Sequence, residues 1–155
     1  MGMAIDSVST PPYRAYAAIT GSFLGAVALI SLGTRRNAVA RYTSFDAVVL
    51  SLATFKAART LAHDDVASFL REPFVEGMPA DSKGERPVPT GNIRQAIGEL
   101  VTCTRCVGTW AAVGLVATEA LMPSFGRVLI RSLALGGAND WLQAGFSALT
   151  TRRTP

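Results

Sequence analysis

The sequence predicts an all-α, polytopic integral membrane protein with about four transmembrane helices, or three, joined by short interfacial helices. Three observations carry that prediction. Apolar residues make up 49% of the 155, and they arrive in long blocks; mean hydropathy is positive at +0.30. Only 17% of the residues are charged, which is low for a soluble domain. The basic residues flank the apolar blocks and form no stripe interleaved with aromatics. The formal charge of +4 therefore fits lipid headgroups and the positive-inside bias better than nucleic acid.

The elements follow in order. Met1 to Pro12 is a polar tail. From Tyr13 the chain runs AYAAITGSFLGAVALISLG, with no charge between Arg14 and Arg35. At about 1.5 Å per residue, roughly 20 apolar residues cross the hydrocarbon layer, and this run reaches that length. An uncleaved helix is preferred over a signal peptide, because Arg35 and Arg36 stand where a cleavage site needs small, uncharged neighbours. Gly21 and Gly25 form a GxxxG spacing that permits helix association, although chance alone often supplies it in such a helix. A basic connector with Arg35, Arg36 and Arg41 completes a first segment, 1–44.

The second segment, 45–155, opens with FDAVVLSLATFKAARTL, interrupted by Asp46, Lys56 and Arg59. Lys56, Arg59 and His63 fall at i, i+3 and i+7 and share one helix face. Charges at membrane depth either snorkel to the headgroups or face an internal polar site. His63, Asp64 and Asp65 mark the exit. Val66, Phe69 and Leu70 then suggest a short surface-lying helix stopped by Pro73. Residues 76–91 read as a loop or linker. Asn92 can cap a helix that places Ile93, Ile97, Leu100 and Val101 on one face. The apolar run from Val107 to Met122 reaches spanning length only if its helix starts near Leu100. A tight turn over residues 122–126 leads to a last span, Val128 to Leu149. Asp140 lies well inside it and should face another helix, with Lys56 or Arg59 as its partner if the helices touch.

With four spans, Arg14, Arg71, Lys83, Arg86, Arg94, Arg105, Arg152 and Arg153 share one side, against Arg35, Arg36, Arg41 and Arg127. The bias rule then places both termini, the middle loop and the cysteines in the cytoplasm.

The two cysteines, Cys103 and Cys106, leave three readings open. They pack where a helix enters the membrane; or they hold zinc or iron, with His63 and a carboxylate such as Asp64 completing the four ligands zinc wants, or with a second copy supplying two more thiolates; or they are redox-active, since a helix N-terminus and Arg105 favour the thiolate. Lys56, Arg59, His63, Arg71 and Arg94 could gather around an anionic lipid headgroup, the alternative being an ordinary basic collar. Trp110 reads as an interfacial anchor and Trp141 as core. No G-x-S-x-G, Walker, Rossmann or HExxH pattern occurs. The expected role is a non-enzymatic membrane component that binds lipids, itself or another membrane protein. The alternatives are a membrane thiol-redox protein and an anionic-lipid-binding or transport module.

LATFKAARTLAHDDVASFLREPF and GELVTCTRCVGTWAA, followed by the closing apolar helix, resemble the DUF1360 family of small bacterial membrane proteins. The likeness runs from Phe45 onward, over about two-thirds of the chain, and leaves the first apolar segment outside it. Arg105 stands where relatives often carry an aromatic residue between the cysteines. The resemblance implies a bacterial plasma membrane location with several passes, and these motif positions; it implies no reaction.

Overall fold

In a computed structural model the described residues are 11–34, 42–77 and 84–151. Six α-helices appear among them: α1 Tyr13–Thr34, α2 Ser44–His63, α3 Ser68–Arg71, α4 Ile93–Thr102, α5 Thr104–Leu121 and α6 Pro123–Thr151. Single 3₁₀ turns, Asp65–Ala67 and Glu72–Phe74, flank α3. Two short strands, β1 Val75–Glu76 and β2 Arg86–Pro87, pair antiparallel with Val75 opposite Pro87.

Local chemistry sets the helix starts. At the head of α2 the Thr43 hydroxyl accepts from the Asp46 N–H at 3.2 Å, and the Asp46 carboxylate accepts from the Thr43 N–H at 2.9 Å, a reciprocal capping box. The Asn92 Oδ1 caps α4 by accepting from the Arg94 N–H at 2.9 Å. Pro123 opens α6 at a position where its missing N–H costs nothing.

The core lies where α2 meets the antiparallel hairpin of α5 and α6. Ala53, Leu115, Ile130 and Ala134 form its buried centre. Small residues let these backbones approach. A Cβ on Gly137 would stand 2.6 Å from the Leu52 carbonyl oxygen, and one on Gly126 would strike the Glu119 backbone. Helix α1 stands outside this bundle. It touches α4 and α5 through a stripe at Tyr16, Ile19, Phe23, Ala26 and Ile30, the partly buried positions at alternating 3- and 4-residue spacing. Phe23 meets Trp110 edge to face with ring centroids 5.3 Å apart.

Several sequence expectations change. Of the described helices, only Tyr13–Gly33 is by itself long and apolar enough to cross a membrane, and none of it is buried. Ile93–Thr102 and Thr104–Leu121 reach that standard only together, and they meet at 88°. By length and composition the chain thus offers one or two candidate spans, not four, because Lys56 and Arg59 in α2 and Arg127, Arg131 and Asp140 in α6 dilute those helices. The third apolar helix does not run in from Leu100. Cys103 is extended, at φ −97° and ψ 101°, and ends α4 while starting α5. The segment after His63 forms one turn of α-helix between 3₁₀ turns, although Val66, Phe69 and Leu70 do face outward. The turn expected over 122–126 shrinks to Met122. The ends of the expected 76–91 loop are tied by the β1–β2 pair. Arg35, Arg36, Arg41, Lys83, Arg152 and Arg153 lie outside the described residues.

Candidate functional site

The two motif stretches converge at one corner, where α2 ends and α4 bends into α5. The His63 Nε2 and the Thr104 Oγ1 lie 2.8 Å apart. Thr104 follows Cys103, so the imidazole sits beside the first turn of α5. Cys103 and Cys106 are joined as a disulfide with Cα atoms 5.3 Å apart. The Cys103 sulfur also caps α5, accepting from the Cys106 N–H at 3.3 Å. Cys103 is half-buried, whereas Cys106 and Arg105 are exposed.

Arg71 holds the corner together. Only 1% exposed, it donates from Nε to Glu85 at 2.6 Å and from Nη2 to the other Glu85 oxygen at 3.1 Å. Its Nη1 reaches the Leu61 carbonyl at 2.9 Å and the Asp64 carbonyl at 3.1 Å. One guanidinium therefore satisfies the open C-terminal carbonyls of α2 and clamps the returning loop. A cavity of about 170 Å³ opens beside it, lined by Ala62, His63, Arg71, Gly84, Glu85 and Thr102. Gly98 lets α4 lie close, since a Cβ there would collide with the Phe74 carbonyl and touch Pro87.

The sequence-derived candidates divide among several places. Lys56 pairs with Asp140, Nζ to Oδ2 at 3.0 Å, about midway along α2 and α6. Arg59, three residues on, is exposed. Arg94 is exposed too and donates to the Pro73 carbonyl at 2.6 Å. Lys56, Arg59, His63, Arg71 and Arg94 therefore form no single lipid-facing cluster. Arg71 in particular is buried in its ion pair and presents nothing to a headgroup. Gly21 and Gly25 sit on the outer face of α1 with nothing within 4 Å of an added Cβ. Trp141 is exposed beside Phe55 and not in the core.

The residues do not fit a zinc or iron site within one chain. The two sulfurs are bonded to each other, His63 is held by Thr104, and the Asp64 carboxylate accepts from the Thr60 hydroxyl at 2.7 Å. No group of three or more His, Cys, Asp or Glu side chains gathers among the described residues.

Two polar clusters escaped the sequence reading. At the far end of the bundle Tyr42 donates to Glu119 at 3.0 Å, beside a small cleft lined also by Asp46, Arg127 and Arg131. Burial, then the bond to Glu119 and its charge, push the Tyr42 phenol above its ordinary value. The other ties α1 to α4: Tyr16 donates to Glu99, which also accepts from Gln95 at 2.9 Å. Each cluster joins residues more than 70 positions apart, so no local spacing reveals it.

A family profile described as "Protein of unknown function (DUF1360)" matches residues 49–146. The chain belongs to the DUF1360 family. The match takes in α5, most of α2 and α6, and the whole corner around Arg71 and the cysteines; α1 lies outside it. Among curated relatives, this DUF1360 protein is 36% identical over 110 residues to sporulation protein YjcA of Bacillus subtilis strain 168, covering 62% of this chain and 92% of that one. It is 28% identical over 100 residues to UPF0713 protein YngL of the same organism, covering 62% and 74%. No solved structure matches.

Proposed function

We propose that this DUF1360 protein is a multi-pass membrane component, non-enzymatic, that associates with its own copies or with another membrane protein. In this reading α1, α2, α5 and α6 cross the bilayer. The observation that carries it is the outward placement of large apolar side chains. Leu24, Leu29 and Leu32 on α1 and Leu135, Leu142, Phe146 and Leu149 on α6 are all more than half exposed. Contiguous apolar surface of this kind is costly in water and neutral in lipid. The right angle between α4 and α5 supports the same placement: if α5 spans, α4 lies in the interface with Ile93 toward the acyl chains. Lys56 and Asp140 then neutralise each other at membrane depth.

The test is alkaline carbonate extraction combined with one-sided cysteine labelling. In a Cys103→Ser/Cys106→Ser background, Thr90→Cys is expected to label only after permeabilisation, and Ser124→Cys in intact cells. Release by carbonate would defeat membrane integration. Labelling of both positions from one side would remove α5 as a span.

A second reading, thiol–disulfide exchange, is favoured by one geometric feature. The sulfur of Cys103 stands at the N-terminus of α5 on the Cys106 N–H, where a leaving thiolate is stabilised. A thiolate of a partner protein dithiol attacks one sulfur and breaks the Cys103–Cys106 bond, forming a mixed disulfide. The partner's second thiol then resolves that link, and two electrons and two protons end on Cys103 and Cys106. A bridge enclosing so short a loop contributes only about 2 kcal/mol by chain entropy, so stapling alone is a weak reason for it. With the middle loop in the cytoplasm, a disulfide would be of the transient, catalytic kind. Alkylation trapping in cells is expected to find both thiol and disulfide forms. A pair found wholly in one form under all redox conditions would leave only the packing role.

A further inference from the structure

Helix α6 carries two stripes. Gly126, Ile130, Ala134 and Gly137 are buried against the bundle. On the opposite side Val128, Leu135, Asn139, Leu142, Phe146 and Leu149 are all exposed, five of them large apolar side chains at least 65% exposed. With Ser132 included, their spacing alternates 4 and 3 residues across the whole run, the heptad seam of a paired helix. Leucine or valine occupies every d position, at 128, 135, 142 and 149, and Asn139 falls on an a position in the middle of the seam.

We propose that this outer face of α6 is the interface with a second copy of the same chain, paired in parallel through Asn139. The proposal rests on the membrane reading above. What selects a second copy is the asparagine. Apolar side chains alone gain no hydrophobic free energy by leaving lipid for another helix. A primary amide, with donors and acceptors on one group, must find a partner. Among the described residues the Asn139 side chain makes no hydrogen bond, and it stands exposed on an apolar surface. It also lies at the centre of the 128–149 stretch, at mid-membrane depth, where water is absent.

Membrane insertion gives every copy the same orientation. Two α6 helices related by a two-fold axis along the membrane normal bring Asn139 to the same level in both, and the amide is complementary to itself. A lone asparagine at an a position sets register and partner number in parallel helix pairs.

The experiment uses full-length protein in phosphatidylethanolamine–phosphatidylglycerol vesicles. In the Cys103→Ser/Cys106→Ser background, Leu135→Cys, Leu142→Cys and Leu149→Cys are expected to form disulfide-linked dimers on mild oxidation. Ala144→Cys and Ala148→Cys, exposed but on the opposite side of the same helix, in line with its buried stripe, are expected not to. Uniform cross-linking along α6, or none at the d positions, overturns the interface. Carbonate extraction of the same vesicles reports membrane integration separately, so failure of the membrane reading is told apart from failure of the dimer. Sedimentation equilibrium in detergent needs no cysteine change. There Asn139→Leu is expected to raise the dimer dissociation constant about 3- to 30-fold. An unchanged constant, or a monomeric wild type, counts against the pairing.

Discussion

Arg71 shows why a charge drawn on a sequence as a surface feature can turn out to be a structural centre. In a chain read as membrane-embedded, an arginine after an apolar pair invites assignment to the headgroups. The fold buries it instead and saturates its planar fork with one carboxylate and two backbone carbonyls. Removing either partner of such a pair strands a buried charge, which costs about 3–5 kcal/mol. Arg71→Ala and Glu85→Ala are each expected to lose that order of stability in detergent-based thermal unfolding. Arg71→Lys is expected to recover little, because an ammonium cannot make the bidentate contact. Full recovery by lysine would mean that charge alone matters here. For Asp140 the sequence narrowed the partner to Lys56 or Arg59 by depth and helix face, and the structure pairs it with Lys56. The role of Arg71 stayed hidden because its partner Glu85 lies in a stretch without periodicity.

At the scale of elements, the bundle depends on close backbone approach more than on bulky core side chains. The buried face of α2 is Ala53, Ala58 and Ala62, and α6 meets it with Ala134 and Gly137. Gly137→Ala must push α6 away from the Leu52 carbonyl, and overpacking of this kind costs about 1–3 kcal/mol. The Lys56–Asp140 pair rides on the same contact, since Lys56 Cβ lies 3.5 Å from a Cβ built on Gly137. The expected outcome is a lower unfolding temperature for Gly137→Ala, with no further loss when Asp140→Asn is added, as sites sharing a contact couple. Strict additivity would show the crossing and the ion pair to be independent. Apolar blocks and the Asn92 cap made the helices legible, whereas the Thr43–Asp46 box was not legible, because Asp46 reads along the sequence only as a break in an apolar run. At Cys103 a helix N-terminus was legible beside the cysteines but the right-angle bend was not, because only the extended backbone of one residue turns the chain.

At the scale of the molecule, α1 and the rest of the chain stand in unequal relation. The family match begins at residue 49, and the core is complete from α2, α5 and α6 without any residue of α1. Helix α1 leans on α4 and α5 through Phe23 on Trp110 and Tyr16 on Glu99. Both anchors belong to the outer side of the bundle, and the remaining faces of α1 are open. An element attached by one narrow stripe contributes to placement more than to folding of what it touches. A chain lacking residues 1–34 is therefore expected to keep a cooperative unfolding transition within a few degrees of the full protein, and to keep the Cys103–Cys106 environment intact. What it should lose is protection around α4: backbone amides near Glu99 are expected to exchange with solvent faster once Tyr16 is gone. Collapse of the transition would instead make α1 part of the folding unit. In the membrane reading proposed above, the distinction bears on placement: with residues 1–34 gone, Arg35, Arg36 and Arg41 still precede α2 and compete with the basic residues of the middle loop to set its side.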